Sequence, residues 1–463
     1  MRDLIVSLIV VGALPLCYKR PFIGLLMFSI LAYMRLQDLA WGFARYQRWS
    51  YYVALAMGAG YLVSRSKRLP LLDIRTVMMG LLVASVGIGL FFARGERDGD
   101  ARYIEFVKVI GVAVFTTAVV RTREHLRIMM WVIGLCFAFF GAKSGLAGII
   151  KLGNIYIKRG PGGMLEDNND FALALAMSIP VLLHLGTSER REILRKGVWF
   201  MIPLTMVTIV LTRSRGGTLS MAMALSALTW RSRNRFLGFG LLGVSALAVL
   251  ALAPAEYRER ISTIKDYETE GSAASRIAAW KVAGRMIQDN PITGVGLRRF
   301  QANYVDYEPN PTPAMLAGEG TIVAHNSYLQ IWAECGTPAF ALYMGLLLIS
   351  FIDIWSIRRR AKAKYYQSWI LSYCTMFEAV LETFMLGSMF LNRAHFDLVY
   401  HYVAIILCFG RIARDEMRRD DMLPTRRTGR PGGTLVATPA RGFGARRLAP
   451  STGFRKTALV PEG

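Results

Sequence analysis

Two arginines lie at the end of an apolar block, in the segment Thr212-Arg213-Ser214-Arg215-Gly216-Gly217. Charge at membrane depth is expensive and is usually kept for function. The planar guanidinium group can donate two parallel hydrogen bonds to a phosphate. The segment therefore predicts an anion-binding site, with a pair of arginines that only reach toward the membrane interface as the structural alternative.

A histidine lies directly before a later apolar block, in Ala324-His325-Asn326-Ser327. Histidine can act as a base or a hydrogen-bond donor near neutral pH, although an isolated histidine is more often structural. Upstream of it, Ser272 or Ser275 can cap a helix, and Ile277, Trp280, Ala283, Met286 and Ile287 follow at helical spacing. Arg276, Lys281 and Arg285 flank this stripe, which predicts an amphipathic helix that lies on the membrane surface or packs on other helices.

A third polar segment contains Lys158 and Arg159, then a glycine-rich turn, then Glu166-Asp167-Asn168-Asn169-Asp170. The acidic residues can cap the helix that follows. Carboxylates and amides at this point are also suited to contact sugar hydroxyls. The spacing matches no calcium-binding loop. His395, Asp397 and His401 form a further polar group, for which packing is favoured over a metal site.

These residues need helices to position them, and the composition indicates that the helices are in a membrane. The chain is 53% hydrophobic, and its apolar residues cluster in thirteen blocks, among them 4–17, 21–34 and 236–254. Blocks of this kind span a bilayer as helices, because a helix satisfies its backbone hydrogen bonds internally. The predicted fold class is an all-α polytopic bundle of about 12–13 spans.

Basic residues alternate with the apolar blocks and assign the loops to two sides. The net charge of +24 is concentrated in short clusters between blocks, which is the positive-inside pattern and argues against nucleic-acid binding. The basic inside segments are 65–69, 121–127, 188–196, 231–235, 354–365 and the C-terminal tail. The outside segments are 151–168, 212–215, 255–325 and 391–395. Counting thirteen spans places the N-terminus outside; counting 4–34 as a broken unit places both ends inside.

The expected organisation is a membrane domain over residues 1–413 and a basic cytoplasmic tail over residues 414–463. The tail lacks apolar periodicity and is rich in Arg, Gly, Pro and Thr, which predicts disorder, and its charges can contact anionic lipids. The outside loop 255–325 is the single long hydrophilic stretch between spans, and loops of this length usually have a function.

Taken together, these motifs resemble the O-antigen ligase and Wzy polymerase superfamily. The Ser-Arg-Gly-Gly at 214–217 is similar to its first signature. Ser275 to Trp280 and Asn290-Pro291-Ile292-Thr293-Gly294-Val295-Gly296 are similar to its large periplasmic loop, and 324–329 with Glu334 and Gly336 to its histidine motif. Met1-Arg2-Asp3-Leu4, Trp41-Gly42-Phe43-Ala44 and Leu165 to Asn169 are similar to one branch, the O-glycosylation ligases associated with exosortase A systems.

The resemblance implies a metal-independent glycosyltransferase without a cofactor, in the bacterial inner membrane with its active site facing the periplasm. It would transfer a glycan from undecaprenyl diphosphate to a hydroxyl of a lipid, protein or polysaccharide acceptor. Arg215 and Arg276 would hold the diphosphate, and His325 would assist the acceptor hydroxyl or the leaving group. Arg213, Arg159, Asp167, Asn168 and Asn326 are the expected substrate contacts.

Two other functions remain open at this level. A polymerase that extends a polysaccharide would use the same arginines and histidine. A glycolipid transporter would form no bond and would have internal repeats and charged residues along the bundle interior, neither of which the sequence shows.

Overall fold

The computed structural model describes residues 1–65, 69–92, 98–240 without 233 and 237, 243, 271–316, 322–365 and 368–422. Most of block 236–254, loop residues 255–270 and tail residues 423–463 lie outside the described residues. The main helices are α1 (Arg2–Lys19), α2 (Pro21–Tyr33), α3 (Trp49–Val63), α4 (Ile74–Phe92), α5 (Asp98–Val119), α6 (Arg123–Ile150), α7 (Asn168–Ser188), α8 (Glu192–Leu211), α9 (Arg215–Trp230), α10 (Gly271–Asp289), α11 (Ser327–Arg360), α12 (Ser368–Gly387) and α13 (Asp397–Met422). The described residues form no β-strand, which confirms the predicted all-α polytopic class.

The apolar blocks form helices because their backbone groups find partners only within the same segment. Every predicted block except 236–254 coincides with a helix. Among the described residues, six helices are long and apolar enough to cross a membrane, namely α4, α6, α7, α8, α11 and α12. The number of 12–13 spans stays a prediction, since α2 has only 13 residues and other helices carry more charge or are also short.

The segments predicted to lie outside meet at one end of the bundle, which we call the loop end. The Asn168 amide donates to the Thr212 carbonyl over 2.9 Å, and the Ser327 backbone N–H donates to the Ser388 carbonyl over 2.8 Å. The predicted inside segments meet at the opposite, basic end, where Arg231 pairs with Glu378 over 2.7 Å. Which compartment each end faces stays a prediction.

Helices α1 and α2 form a hairpin that places the N-terminus at the loop end. The Phe22 ring stacks on His125 at the basic end, with 3.9 Å between ring centroids. From there α2 rises to Tyr33, whose hydroxyl is 2.6 Å from Nδ1 of His401 near the start of α13. The antiparallel α1 therefore begins at the loop end, as the thirteen-span count expects, whereas the side of the membrane on which either chain end lies stays a prediction.

The N-terminal motif Met1 to Leu4 and the motif Trp41 to Ala44 are partners in the fold. The Asp3 carboxylate accepts hydrogen bonds from the Gly42 and Ala44 backbone N–H groups, at 2.8 and 3.1 Å. The Arg2 guanidinium lies over the Trp41 ring, 4.5 Å from its centroid. These residues therefore join the N-terminus to the segment between α2 and α3.

The predicted start of the disordered tail is wrong for residues 414–422, which continue α13 to Met422. Arg414 pairs with Asp353 over 2.5 Å, Glu416 accepts from the Trp369 indole N–H, and Met417 is buried. These contacts with α11 and α12 order a segment that has no apolar periodicity of its own.

Helix α10 packs on the protein instead of presenting the predicted stripe to a membrane surface. It begins at Gly271, so Ser272 and Ser275 lie inside the helix and do not cap it. Its buried face is formed by Ala279, Val282, Ala283 and Met286, which pack with loop residues and with Ala333 of α11. Ile277 and Trp280, which the spacing assigned to the apolar face, are 41% and 37% exposed.

Candidate active site

The Ser-Arg-Gly-Gly segment forms the beginning of α9. The Ser214 hydroxyl caps the helix by accepting from the Gly217 N–H over 3.0 Å, and it donates to the Asn169 side-chain oxygen over 2.6 Å. A side chain at Gly217 would overlap the methyl group of Ala172 in α7, so glycine allows the two helices to touch. Serine and glycine thus have structural roles here, and they fix Arg215 as the first residue of α9.

Helix α10 brings Arg276 to His325. Arg276 and Trp280 are four residues apart and share one helix face. The Trp280 indole N–H donates to the Ala324 carbonyl over 2.9 Å, which fixes the residue directly before His325. The backbone at His325 turns tightly, with a left-handed φ of 46°.

The electrostatics of His325 report the same proximity. Burial, and then the Arg276 guanidinium, hold the pKa of His325 below its usual value, while the Asp167 carboxylate acts in the opposite direction. Because the pKa is lowered, the imidazole is neutral at neutral pH. A neutral imidazole can accept a proton, which is the property a general base needs.

The Gly294-Val295-Gly296 turn docks onto a break in α11. Gly336 has a φ of 79° inside this helix, and Pro338 lacks the N–H that the Glu334 carbonyl would otherwise receive. The two carbonyls released by the break, of Ala333 and Glu334, accept instead from the Val295 and Gly296 N–H groups, at 2.9 Å each. A side chain at Gly294 would overlap the backbone at Glu334. Two motifs distant in sequence therefore form one interlocked unit.

His325 lines a cavity of about 340 Å³ at the loop end, which we call the histidine cavity. Its other polar lining residues are Asp167, Asn169, Asp170, Arg298, Gln301, Gln330, Glu334, Asn392, Arg393 and His395. Arg393 forms an ion pair with Asp170 of α7. The buried pair His395 and Glu334 is 3.5 Å apart, and Glu334 also accepts from the Gln330 amide over 3.3 Å.

Arg215 and Arg276 flank the histidine cavity and are not among its described lining residues. Ser214, directly before Arg215, bonds to Asn169, which lines the cavity. Gly216, directly after it, faces Leu391 of the same lining. The cavity is therefore bordered by Arg215 on one side and by His325, with helix α10 docked beside it, on another.

Four of the described helices begin around this cavity: α7, α9, α11 and α13. The N-terminus of a helix carries a partial positive charge and unpaired N–H groups, which favour an anion. These helix starts and the arginines contribute positive charge at the loop end, where Asp167, Asp170 and Glu334 contribute carboxylates. The arrangement can stabilise a departing anion while a neutral histidine accepts a proton.

The remaining predicted contacts have structural partners. The Asp167 and Asn326 side chains cap α7 and α11, by accepting from Asn169 and from Tyr328 and Leu329, respectively. Asp167 also lines the cavity. Asn168 bonds to the Thr212 carbonyl, which links α7 to the start of α9.

Two predicted arginines lie on the periphery. The Arg159 side chain is 82% exposed and lies 3.9 Å from Glu166. Arg213 has a φ of 51°, and its guanidinium is 4.9 Å from the centre of the Tyr156 ring. Neither residue is among the described lining of the histidine cavity, and their roles as substrate contacts stay predictions.

Sequence reasoning missed Arg298, Arg393 and Asp170 as site residues. Arg393 carried a usable signal, because it is a basic residue in the short outside segment 391–395, as Arg215 is in 212–215. Asp170 belongs to the polar segment that the sequence singled out, whereas Arg298 carried no signal, since it reaches the cavity only through the tertiary fold. His395 and His401, for which packing was favoured, both line cavities. Within the described ranges, no group of three or more potential metal ligands is found.

Comparisons with known proteins divide the chain into two parts. No curated protein matches it. Residues 1–188 match a family of unknown function, DUF5935. Residues 198–344, which carry Arg215, Arg276 and His325, match the family described as O-Antigen ligase. This match supports the O-antigen ligase superfamily and a multi-pass membrane protein with a ligase or polymerase type of glycosyl transfer.

Proposed function

We propose that this protein is a glycosyltransferase of the ligase type, which takes a glycan from undecaprenyl diphosphate and transfers it to an acceptor hydroxyl. One observation carries the proposal: His325 lines the histidine cavity, the Trp280 hydrogen bond to Ala324 fixes the helix that carries Arg276 beside it, and Arg215 borders the same cavity. The family match covers all three residues. We place the reaction on the periplasmic face of the inner membrane, because the basic segments predict that the opposite end is cytoplasmic.

The main requirement of the reaction is to stabilise the negative charge that develops on the departing diphosphate. The acceptor oxygen forms a bond to the anomeric carbon of the donor sugar, and the bond from that carbon to the diphosphate oxygen breaks. Arg215 and Arg276 hold the departing diphosphate with the help of the neighbouring helix N-termini. His325 accepts the proton of the acceptor hydroxyl, and its lowered pKa keeps it neutral for this step.

The acceptor is the finer part of the proposal. The sequence motifs at Met1 to Leu4 and at Trp41 to Ala44 are similar to the exosortase-associated branch, and an O-glycosylated acceptor is what that branch implies. A polymerase would use the growing glycan instead. Product formed by purified protein from the lipid-linked donor alone would favour the polymerase.

The test replaces each of the three residues in the full chain. Arg215→Ala, Arg276→Ala and His325→Ala should each lower transfer by at least about a hundredfold, given the size of effects seen when charge-stabilising donors are removed. The matched control is Lys281→Ala, an exposed cation on the same helix as Arg276. Glycan on the acceptor is measured by mass spectrometry, and membrane insertion by immunoblot. Full activity in all three variants would overturn the proposal.

A further inference from the structure

A second cavity, of about 490 Å³, adjoins the histidine cavity, and we call it the flanking cavity. The two share Arg298, Arg393 and His395 in their linings. The rest of the flanking cavity is formed largely by α2, by α5 and by residues 163–166. These parts lie in the region that matches the family of unknown function, whereas Arg215, Arg276 and His325 lie in the O-antigen ligase match.

One face of α5 lines the flanking cavity and changes character along its length. Arg102 and Glu105, near the start of α5, form an exposed pair at 3.3 Å, and Lys108 is exposed one turn later. Phe106 and Val109, on the same face, are buried or half-buried. The cavity therefore has a charged, accessible rim and an apolar interior, and its volume is in the range of ligand-binding sites.

Three buried ring nitrogens at the flanking cavity make no hydrogen bond to the described residues, although one of them, Nε2 of His395, lies 3.5 Å from the Glu334 carboxylate. His401 is 4% exposed, and its Nδ1 faces the Tyr33 hydroxyl at 2.6 Å, while its Nε2 makes no hydrogen bond. Both ring nitrogens of His395 also make none. Buried polar atoms are nearly always hydrogen-bonded, so these nitrogens indicate a polar ligand or bound water.

The charges of the flanking cavity favour a neutral ligand over a diphosphate. Its lining contains the cations Arg102, Lys108, Arg298 and Arg393 and the carboxylates Glu105, Glu166 and Asp397. Arg102 and Arg393 are already paired, with Glu105 and with Asp170. Carboxylates accept hydrogen bonds from hydroxyl groups and repel phosphate oxygens.

We propose that the flanking cavity binds the acceptor as a neutral, hydroxyl-bearing chain of the sugar class, and delivers its hydroxyl past His395 to His325. The region of unknown function would then supply the acceptor subsite, and the O-antigen ligase region the donor subsite. This inference rests on the proposed function. His395, which lies in the wall common to both cavities, is the residue that the hydroxyl passes.

The test fills the flanking cavity without touching the histidine cavity. Val109→Trp places an indole inside it, and Val107→Trp, on the same helix, is the matched control, because Val107 is 38% exposed and is not in the described lining. Ala32→Phe fills the same cavity from α2. Membrane vesicles from a strain without this protein supply donor and acceptor, and undecaprenyl diphosphate serves as the binding probe in a thermal-shift assay.

The expected result is that Val109→Trp and Ala32→Phe lower transfer by about tenfold or more, with an increased apparent KM for the acceptor vesicles. Both should keep the stabilisation that undecaprenyl diphosphate gives the wild type, and Val107→Trp should behave as the wild type. Normal transfer by Val109→Trp and Ala32→Phe overturns this inference and leaves the proposed function standing. Loss of the thermal stabilisation by undecaprenyl diphosphate in these two variants has the same consequence. Absence of that shift in the wild type overturns the proposed function and the inference with it. A product in which the glycan is joined directly to a protein side chain overturns the sugar class of the acceptor.

Discussion

Replacing Trp280 by phenylalanine isolates the contact that places His325. The substitution keeps most of the aromatic ring and removes the N–H that donates to the Ala324 carbonyl over 2.9 Å. Ala324 is fully buried, so its carbonyl loses its partner away from water, which costs about 1–3 kcal/mol. This cost falls on the arrangement in which α10 is docked beside His325.

The expected effect on the reaction follows from that free energy. If transfer requires the docked arrangement, Trp280→Phe lowers its rate by about 5- to 150-fold. The assay measures glycan on the acceptor in membranes with equal amounts of inserted protein. The control is Trp332→Phe, which also removes an indole hydrogen bond of 2.9 Å, to Thr337, but at an exposed site of α11.

The two tryptophans together decide the interpretation. Normal transfer by Trp280→Phe would refute the idea that this hydrogen bond positions His325. An equal loss in Trp332→Phe would show that the effect is a general response to the loss of an indole hydrogen bond.

Two further substitutions test the docked turn and the charge state of the histidine. Gly336→Ala places a side chain against the Ile292 carbonyl at a left-handed φ of 79°, and it should lower the melting temperature and transfer together, by strain of at least about 1–3 kcal/mol. Gly284→Ala, at a position with open space, should do neither. Asp167→Asn keeps a helix cap and removes the carboxylate that raises the pKa of His325, so this pKa falls further. If neutral His325 is the base, activity is lost as the pH falls through the pKa of His325. The acid limb of the pH–rate profile of Asp167→Asn should therefore move to lower pH. An unchanged limb, or one shifted to higher pH, would contradict the role of His325 as the base.

The helices and the grouping of the loops could be predicted from the sequence. Apolar blocks are long enough to specify helices without tertiary information, and basic clusters identify which loops share an end. A turn at Gly294-Val295-Gly296 could also be predicted, because closely spaced glycines favour turns. Both glycines have a left-handed φ, which glycine adopts without strain.

Other features depend on contacts that no local pattern encodes. The break in α11 at Gly336 exists because a turn more than forty residues upstream supplies the missing N–H groups. The buried face of α10 is rotated from the predicted stripe, since small Ala279 and Ala283 fit against the protein and Trp280 is used for its hydrogen bond. The order of residues 414–422 comes from ion pairs with other helices, such as that of Arg414 with Asp353.

The candidate site could be predicted only where a residue departs from the positive-inside rule. Arg215 is such a residue, because it is basic in a segment predicted to lie outside, where basic residues are disfavoured. Asp170 belongs to α7 and Arg393 to the segment before α13, and only the tertiary fold brings this ion pair together. The flanking cavity could not be predicted from the sequence, because its lining comes from five separate segments of the chain.

The most direct test of the account is a reconstituted reaction with a defined donor. Purified protein in nanodiscs is given an undecaprenyl-diphosphate-linked glycan and the acceptor, and the glycosylated product and released undecaprenyl diphosphate are both quantified by mass spectrometry. The account predicts that wild-type protein releases one undecaprenyl diphosphate for each glycan transferred, and that Arg276→Ala and His325→Ala release almost none. Transfer that needs a nucleotide sugar, or that proceeds equally well in both variants, would contradict it.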